Sequence, residues 1–174
     1  MPNKRIETAC RVGALALALA LLLSWTATLA GASFTSSGAG VRYGGKNIRL
    51  GDKTTPAKLA GIFGKYDSRK TDSTISFGFA TYLYTFKSKG IAIETFQKKK
   101  GDSKEKIIRI IVTGKKIPTL AGMKVGNGDS VLEKKYGTKR AKSGSKLLYR
   151  AGKYNLLVYT KSKKITKYEF ILNL

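Results

Sequence analysis

No histidine occurs in this chain, and its single cysteine, Cys10, lies close to the N-terminus. Those two absences exclude imidazole acid–base chemistry, thiol nucleophiles and the usual His/Cys zinc sites from everything beyond residue 32. They also exclude a disulfide, so stability has to come from packing. Acidic side chains are scarce too: 10 Asp plus Glu stand against 34 Lys plus Arg, a formal charge of +24 over 174 residues. A hydrolase would be left with Ser and Lys, or with paired carboxylates. Ser-x-x-Lys occurs at Ser103/Lys106 and Ser143/Lys146, no more often than chance gives in so lysine-rich a chain. Both lie in polar segments where a lysine stays charged and cannot serve as a neutral base. Asp52 and Asp129 each follow a glycine at the start of an expected helix, which is the place of a capping residue.

Two glycine-rich stretches have the outline of phosphate sites. In Gly51-Asp52-Lys53-Thr54 the aspartate separates Gly from Lys and would repel a phosphate. Gly126-Asn127-Gly128-Asp129 opens a helix whose N–H groups face outward, but Asp129 again opposes an anion, and a tight turn is the expected role. No catalytic residue, metal, cofactor or nucleotide is expected, and the chain reads as a non-enzymatic protein.

What is present begins with a secretory signal. Lys4, Arg5 and Arg11 precede an apolar run from Val12 to Leu23, and Ala30-Gly31-Ala32 places small residues at both recognition positions of a signal peptidase. The expectation is cleavage before Ser33. Val12 to Ala30 is also long enough to span a bilayer, which keeps an N-terminal anchor as the alternative and the signal segment as the sole membrane contact. Ala32 stands where a lipoprotein would carry cysteine. Without residues 1–32 the chain loses Lys4, Arg5, Arg11 and Glu7 and keeps 31 basic and 9 acidic residues, a charge of +22. The remaining 142 residues suit one domain.

Beyond a Ser/Gly-rich leader, 33–40, two stretches repeat. Ile48-Arg49-Leu50-Gly51, Leu59 and Phe63-Gly64 correspond to Met123-Lys124-Val125-Gly126, Leu132 and Tyr136-Gly137. The spacing gives a first repeat with an N-terminal hairpin over 41–116 and a second over 117–174. Pro56 to Phe63 reads as a helix capped by Asp52, Thr54 or Thr55 and stopped by Gly64. Asp129 or Ser130 to Gly137 reads as its counterpart. Alternating apolar residues predict three strands after each helix: about Tyr82–Phe86, Ile91–Gln97 and Ile107–Val112, then Leu147–Arg150, Tyr154–Tyr159 and Ile165–Leu172. The expected fold is α+β: two helix-plus-three-stranded antiparallel meander units forming one sheet with the helices on one face.

Gly122-Met123-Lys124-Val125-Gly126, Asp129-Ser130-Val131, Lys135-Tyr136-Gly137 and the closing Lys164-Ile165 resemble a repeat of secreted proteins and lipoproteins of Gram-positive gut anaerobes. The unit is similar in shape to the helix-plus-meander of β-lactamase-inhibitor-like proteins. The resemblance spans about Ile48 to Leu172, implies fold and extracellular location, and carries over no inhibitory residue.

Charge supplies the functional expectation. Lysines cluster at 98–100, 115–116, 134–135, 139–142 (with Arg140) and 161–164, either as a solubilising coat or as a surface for a polyanion, which outside a cell means teichoic acid, anionic lipid headgroups or extracellular nucleic acid. With the helices covering the face of Tyr84, Phe86, Ile108, Ile110, Tyr168 and Phe170, the opposite face presents Arg109, Arg150, Lys167 and Glu169. Those four, with Lys134, Lys135, Lys139 and Lys142, are the candidate binding residues. The expected function is a secreted or wall-associated binding module for anionic polymers. The alternative is a binder or inhibitor of a protein partner that uses the open sheet face.

Overall fold

β-Branched and aromatic residues at every second position build most of what the computed structural model contains. It describes residues 33–72, 80–99, 102–138 and 140–174; the expected signal segment and Lys139 lie outside them. In chain order the elements are β1 (Gly40–Tyr43), β2 (Lys46–Arg49), β3 (Lys53–Thr54), α1 (Pro56–Phe63), β4 (Ser68–Asp72), β5 (Ala80–Phe86), β6 (Ile91–Gln97) and β7 (Glu105–Val112). There follow α2 (Asp129–Tyr136), β8 (Ala141–Ser143), β9 (Lys146–Ala151), β10 (Tyr154–Lys161) and β11 (Lys164–Leu172).

The fold is mostly β, which corrects the expected α+β arrangement. Eleven strands and two helices are present among the described residues, and nine of the strands form one antiparallel sheet in the order β4-β5-β6-β7-β11-β10-β9-β8, with β3 also paired to β7. The units are therefore not a helix plus three strands. Strands β3, β4 and β8 were missed because Lys-Thr, Ser-Arg-Lys-Thr-Asp and Ala-Lys-Ser lack an apolar period. Sheet edges tolerate such polar strands and are protected by them. The hairpin β1–β2 is a separate two-stranded sheet.

Helix α1 starts where Thr55 accepts the Lys58 N–H through its hydroxyl at 3.1 Å, with Pro56 in the first turn, and ends at Gly64 with φ 88°. Helix α2 has Gly128 at its cap and no side-chain capping bond; Asp129 is its first residue, where a negative charge complements the helix dipole. Asp52 caps neither helix, since its carboxylate accepts the Arg49 N–H at 2.9 Å.

One face of the sheet is covered. Leu59 and Phe63 from α1, Leu132 and Tyr136 from α2, and Val41 and Ile48 from the hairpin join Tyr84, Phe86, Ile93, Ile110, Tyr149, Leu156, Tyr168 and Phe170 in one core. Phe63 lies 5.0 Å from Phe86 and Tyr136 5.8 Å from Tyr149, centroid to centroid. The Tyr168 hydroxyl donates to the Ile117 carbonyl at 2.8 Å and ties the crossing segment to the sheet. Each fully buried Leu or Phe contributes about 2 kcal/mol by area. Phe34, in the stretch read as a leader, is only 7% exposed and stacks on Phe170 at 6.1 Å. Ile108 departs from the expected alternation. The register passes from Glu94↔Arg109 to Thr95↔Ile107, leaving Ile108 as the extra residue of a bulge and only half-buried.

Candidate binding surfaces

On the uncovered face, strand register brings four charged residues together. Glu94 on β6 stands opposite Arg109 on β7, and β11 places Glu169 opposite Ile111, beside Arg109. The Arg109 guanidinium donates to Glu169 Oε2 through Nη2 at 2.5 Å and Nε at 3.0 Å, and reaches Glu94 at 3.6 Å. Lys167 Nζ lies 2.7 Å from the other Glu169 oxygen and 3.9 Å from the Tyr159 ring centroid. Glu169 is thereby only 1% exposed although it lies on the uncovered face. Burial pushes its carboxyl up, but the hydrogen bonds and charges of Lys167 and Arg109 outweigh burial and hold it below the usual carboxylate range. Arg109 and Lys167 respond in the opposite sense: burial lowers each, and the Glu169 bond and charge raise each further. Two cations and two anions cancel here, so this network offers no net field to a polyanion.

The other expected residues do not join it. Arg150 is exposed on β9 opposite Asn155. Lys134 and Lys135 lie exposed in the last turn of α2, Lys142 is exposed on the edge strand β8, and Lys139 lies outside the described residues. Ser103 is exposed in the loop before β7 and Lys106 is half-buried on that strand, while Ser143 and Lys146 face each other, exposed, across β8 and β9. No buried lysine stands beside a serine in either Ser-x-x-Lys match.

A second carboxylate is buried at the start of β7. Glu105, 2% exposed, accepts from the Tyr84 hydroxyl at 2.8 Å and from Thr95 Oγ1 at 2.5 Å, with Arg69 at 3.7 Å. The Arg69 guanidinium in turn sits 3.8 Å above the Tyr82 ring. Burial, and then the hydrogen bond to Glu105, push the Tyr84 phenol up. Four neighbouring strands, β4 to β7, meet in this cluster, and its bonds are satisfied internally.

Seven lysines with no ion pair among the described residues gather at one end of the sheet. In an antiparallel sheet, turns two strands apart fall at the same end, so the β5–β6 turn, the exit of β7 and the β10–β11 turn are neighbours. They carry Lys87 and Lys89, Lys115 and Lys116, and Lys161, Lys163 and Lys164. Two adjoining grooves open there. Tyr43, Lys87, Ser88, Lys89, Lys115 and Lys116 line the first with Gly90 and Gly114; Lys115, Asn127, Lys161, Ser162, Lys164 and Thr166 are among those lining the second. Lys115 belongs to both, and no carboxylate lines either one among the described residues. The loops are fixed closely. Thr113 and Gly114 both donate to the Gly90 carbonyl, at 2.8 and 2.9 Å, and a Cβ on Gly114 would stand 2.3 Å from the Lys89 carbonyl oxygen. Sequence reading noted the lysines at 115–116 and 161–164 but not their convergence with Lys87 and Lys89, which rests on the β7–β11 pairing.

No protein-family model matches the chain, and no curated protein matches it. Among solved structures it is similar to an extracellular protein containing an SCP domain from Bacillus anthracis str. Ames, with 9% identity and a TM-score of 0.48. The match covers 71% of this chain and 44% of that one. A likeness of this size assigns neither fold nor activity. Among the described residues, no helix is long and apolar enough to cross a membrane, and no group of three or more His, Cys, Asp or Glu side chains is placed to hold a metal.

Proposed function

We propose that this chain is a secreted, non-enzymatic binding module that attaches to an anionic polymer of the cell envelope. One observation carries the reading: lysines from three separate loops surround two adjoining grooves at one sheet end with no lining carboxylate. Clefts lined by one sign of charge concentrate their counter-ions and raise association rates. The signal-like N-terminus supports an extracellular setting. Lysine binds as a flexible point charge, so affinity is electrostatic and falls steeply with salt.

The open face favours a second reading at a different place. Around the neutral Glu94–Arg109–Glu169–Lys167 network lie the half-buried Leu83, Ala92, Ile111, Leu157 and Ile171, a surface suited to a protein partner. Retention of residues 33–174 on purified cell-wall polymer at about 0.15 M salt tests the first reading. Retention that declines as salt rises is the expected result; none at that salt leaves the charge as a solubility feature.

A further inference from the structure

We infer that the uncovered sheet face is an interface on which a second copy of this chain packs, sheet against sheet, about a twofold axis running along the β7–β11 pair. This rests on the open-face reading given second above and names its partner. One row of residues crosses the middle of the face: Ala92 stands opposite Ile111, Ile111 opposite Glu169, and Glu169 opposite Leu157. Ala92 on β6 and Leu157 on β10 are therefore equally far from the line between β7 and β11. A half-turn about that line exchanges them.

Their shapes are complementary. Ala92 is the small residue of the row, and a shallow groove of about 310 Å³ opens beside it, lined by Thr85, Ile111 and Thr113 among others. At the other end of the row Leu157 stands half-buried next to Leu148. The twofold lays Leu157 of each copy over Ala92 of the other, so the contact is made twice, as an isologous interface requires. The next row runs Glu94, Arg109, Ile171 and Asn155, and the same operation sets the Glu94 carboxylate over an Asn155 amide. Neither row brings like charges together.

Charge and area point to the same occupant. An acidic protein would be drawn to the lysine-rich sheet end, because the centre of the open face has no net charge with which to attract it. Two copies of so basic a chain repel one another elsewhere, and this neutral centre is where they can meet. Six adjoining strands, β5-β6-β7-β11-β10-β9, at about 4.8 Å spacing and about 20 Å long, give roughly 600 Å² of face per copy. Two copies then hide about 1,200 Å², within the range of specific interfaces. Sheets of equal twist stack face to face at about −30°, and a second copy supplies an equal twist by construction.

Sedimentation velocity of residues 33–174, which contain the whole described core, tests the interface from about 1 to 100 µM protein and from about 0.05 to 0.5 M salt. The expected result is a monomer–dimer equilibrium that tightens as salt rises and screens the repulsion, the reverse of polyanion binding. Leu157→Ala and Ala92→Leu should each weaken the dimer on the order of tenfold. The double variant gives every leucine an alanine to face and should return to within about threefold of wild type. Neither residue belongs to the covered core, and thermal melts confirm that each variant is folded.

Losses that simply add in the double variant would overturn the twofold pairing, and so would association that loosens with salt. A monomer throughout, with the neutral dye Nile red bound by wild type but not by Leu157→Lys, would overturn the second copy and leave the face to a different protein. A monomer that binds no dye would overturn the open-face reading with it.

Discussion

Two buried threonines on adjacent strands make opposite predictions. Thr95 on β6 is fully buried, and its hydroxyl donates to the Glu105 carboxylate at 2.5 Å. Thr81 on β5 is 5% exposed, and its hydroxyl has no hydrogen-bond partner among the described residues. Valine replaces threonine with nearly the same shape, so each substitution isolates the hydroxyl. Thr95→Val leaves one oxygen of a buried carboxylate without its donor. A hydrogen bond to a charged group is worth about 1.5–3 kcal/mol, so a loss of about 2 kcal/mol is expected. Arg69 cannot compensate in full, because it lies 3.7 Å from the other oxygen and is 38% exposed. For a domain of this length, that corresponds to a fall in Tm of about 8 °C. Thr81→Val removes a buried hydroxyl without a hydrogen-bond partner among the described residues, so it should be neutral or stabilising by about 1 kcal/mol. Thermal melts followed by circular dichroism, with urea titrations to confirm unchanged m-values, measure both. A Thr95→Val protein within about 2 °C of wild type, or a Thr81→Val protein equally damaged, would refute the view that Glu105 clamps β4 to β7.

Glu169 carries a pH dependence of definite sign. Its folded-state pKa is depressed, so the stability it contributes is present above the unfolded value of about 4.3 and is lost as pH falls through the folded value. Glu169→Gln should therefore be less stable than wild type at pH 7, with the two Tm curves converging on acidification; a constant gap from neutral to strongly acidic pH would contradict this. Gly114→Ala drives a Cβ to within 2.3 Å of the Lys89 carbonyl oxygen. Overpacking against backbone should cost roughly 2 kcal/mol and weaken polymer binding by displacing Lys89 and Lys115. Denaturation and retention measured on that variant check both halves.

Local signals were legible where side-chain chemistry is local. Thr55-Pro56 and Gly64 bound α1, and Tyr82, Tyr84 and Phe86 announced β5, because capping and period-two burial are written in neighbouring residues. Strands β3, β4 and β8 escaped, since hydrogen bonding to a neighbour, not burial, makes them strands. The same applies to Glu105 and Lys106, read as loop but paired with β3. Their polar pattern conceals that Glu105 is buried under Tyr84 and Thr95. The central β7–β11 pairing joins residues some 60 positions apart, as Arg109 and Glu169 show, and periodicity does not choose partners. Alternation puts Arg109, Arg150, Lys167 and Glu169 on one face, yet the mutual neutralisation of Arg109, Lys167 and Glu169 depends on cross-strand distances that one strand's sequence does not contain.

The positive charge divides by residue type, and the division bears on what the lysines are free to do. Among the described residues the ion pairs fall on Arg69, Arg109, Arg140 and Lys167, and they engage Glu94, Glu105, Glu133 and Glu169. Arginine holds carboxylates with a rigid fork whose immobilisation costs little per bond, so it is the cation suited to partly buried pairs. The groove lysines are left at turns and strand ends, each on a flexible stem and outside any ion pair among the described residues. Neutralising Lys87, Lys89, Lys161 or Lys164 breaks no ion pair among the described residues, whereas neutralising Arg109 leaves Glu169 buried with one partner fewer. The fold therefore separates charge that holds the sheet together from charge left outside any ion pair. Under the proposed polymer binding, removing the second kind is expected to alter binding without disturbing the first.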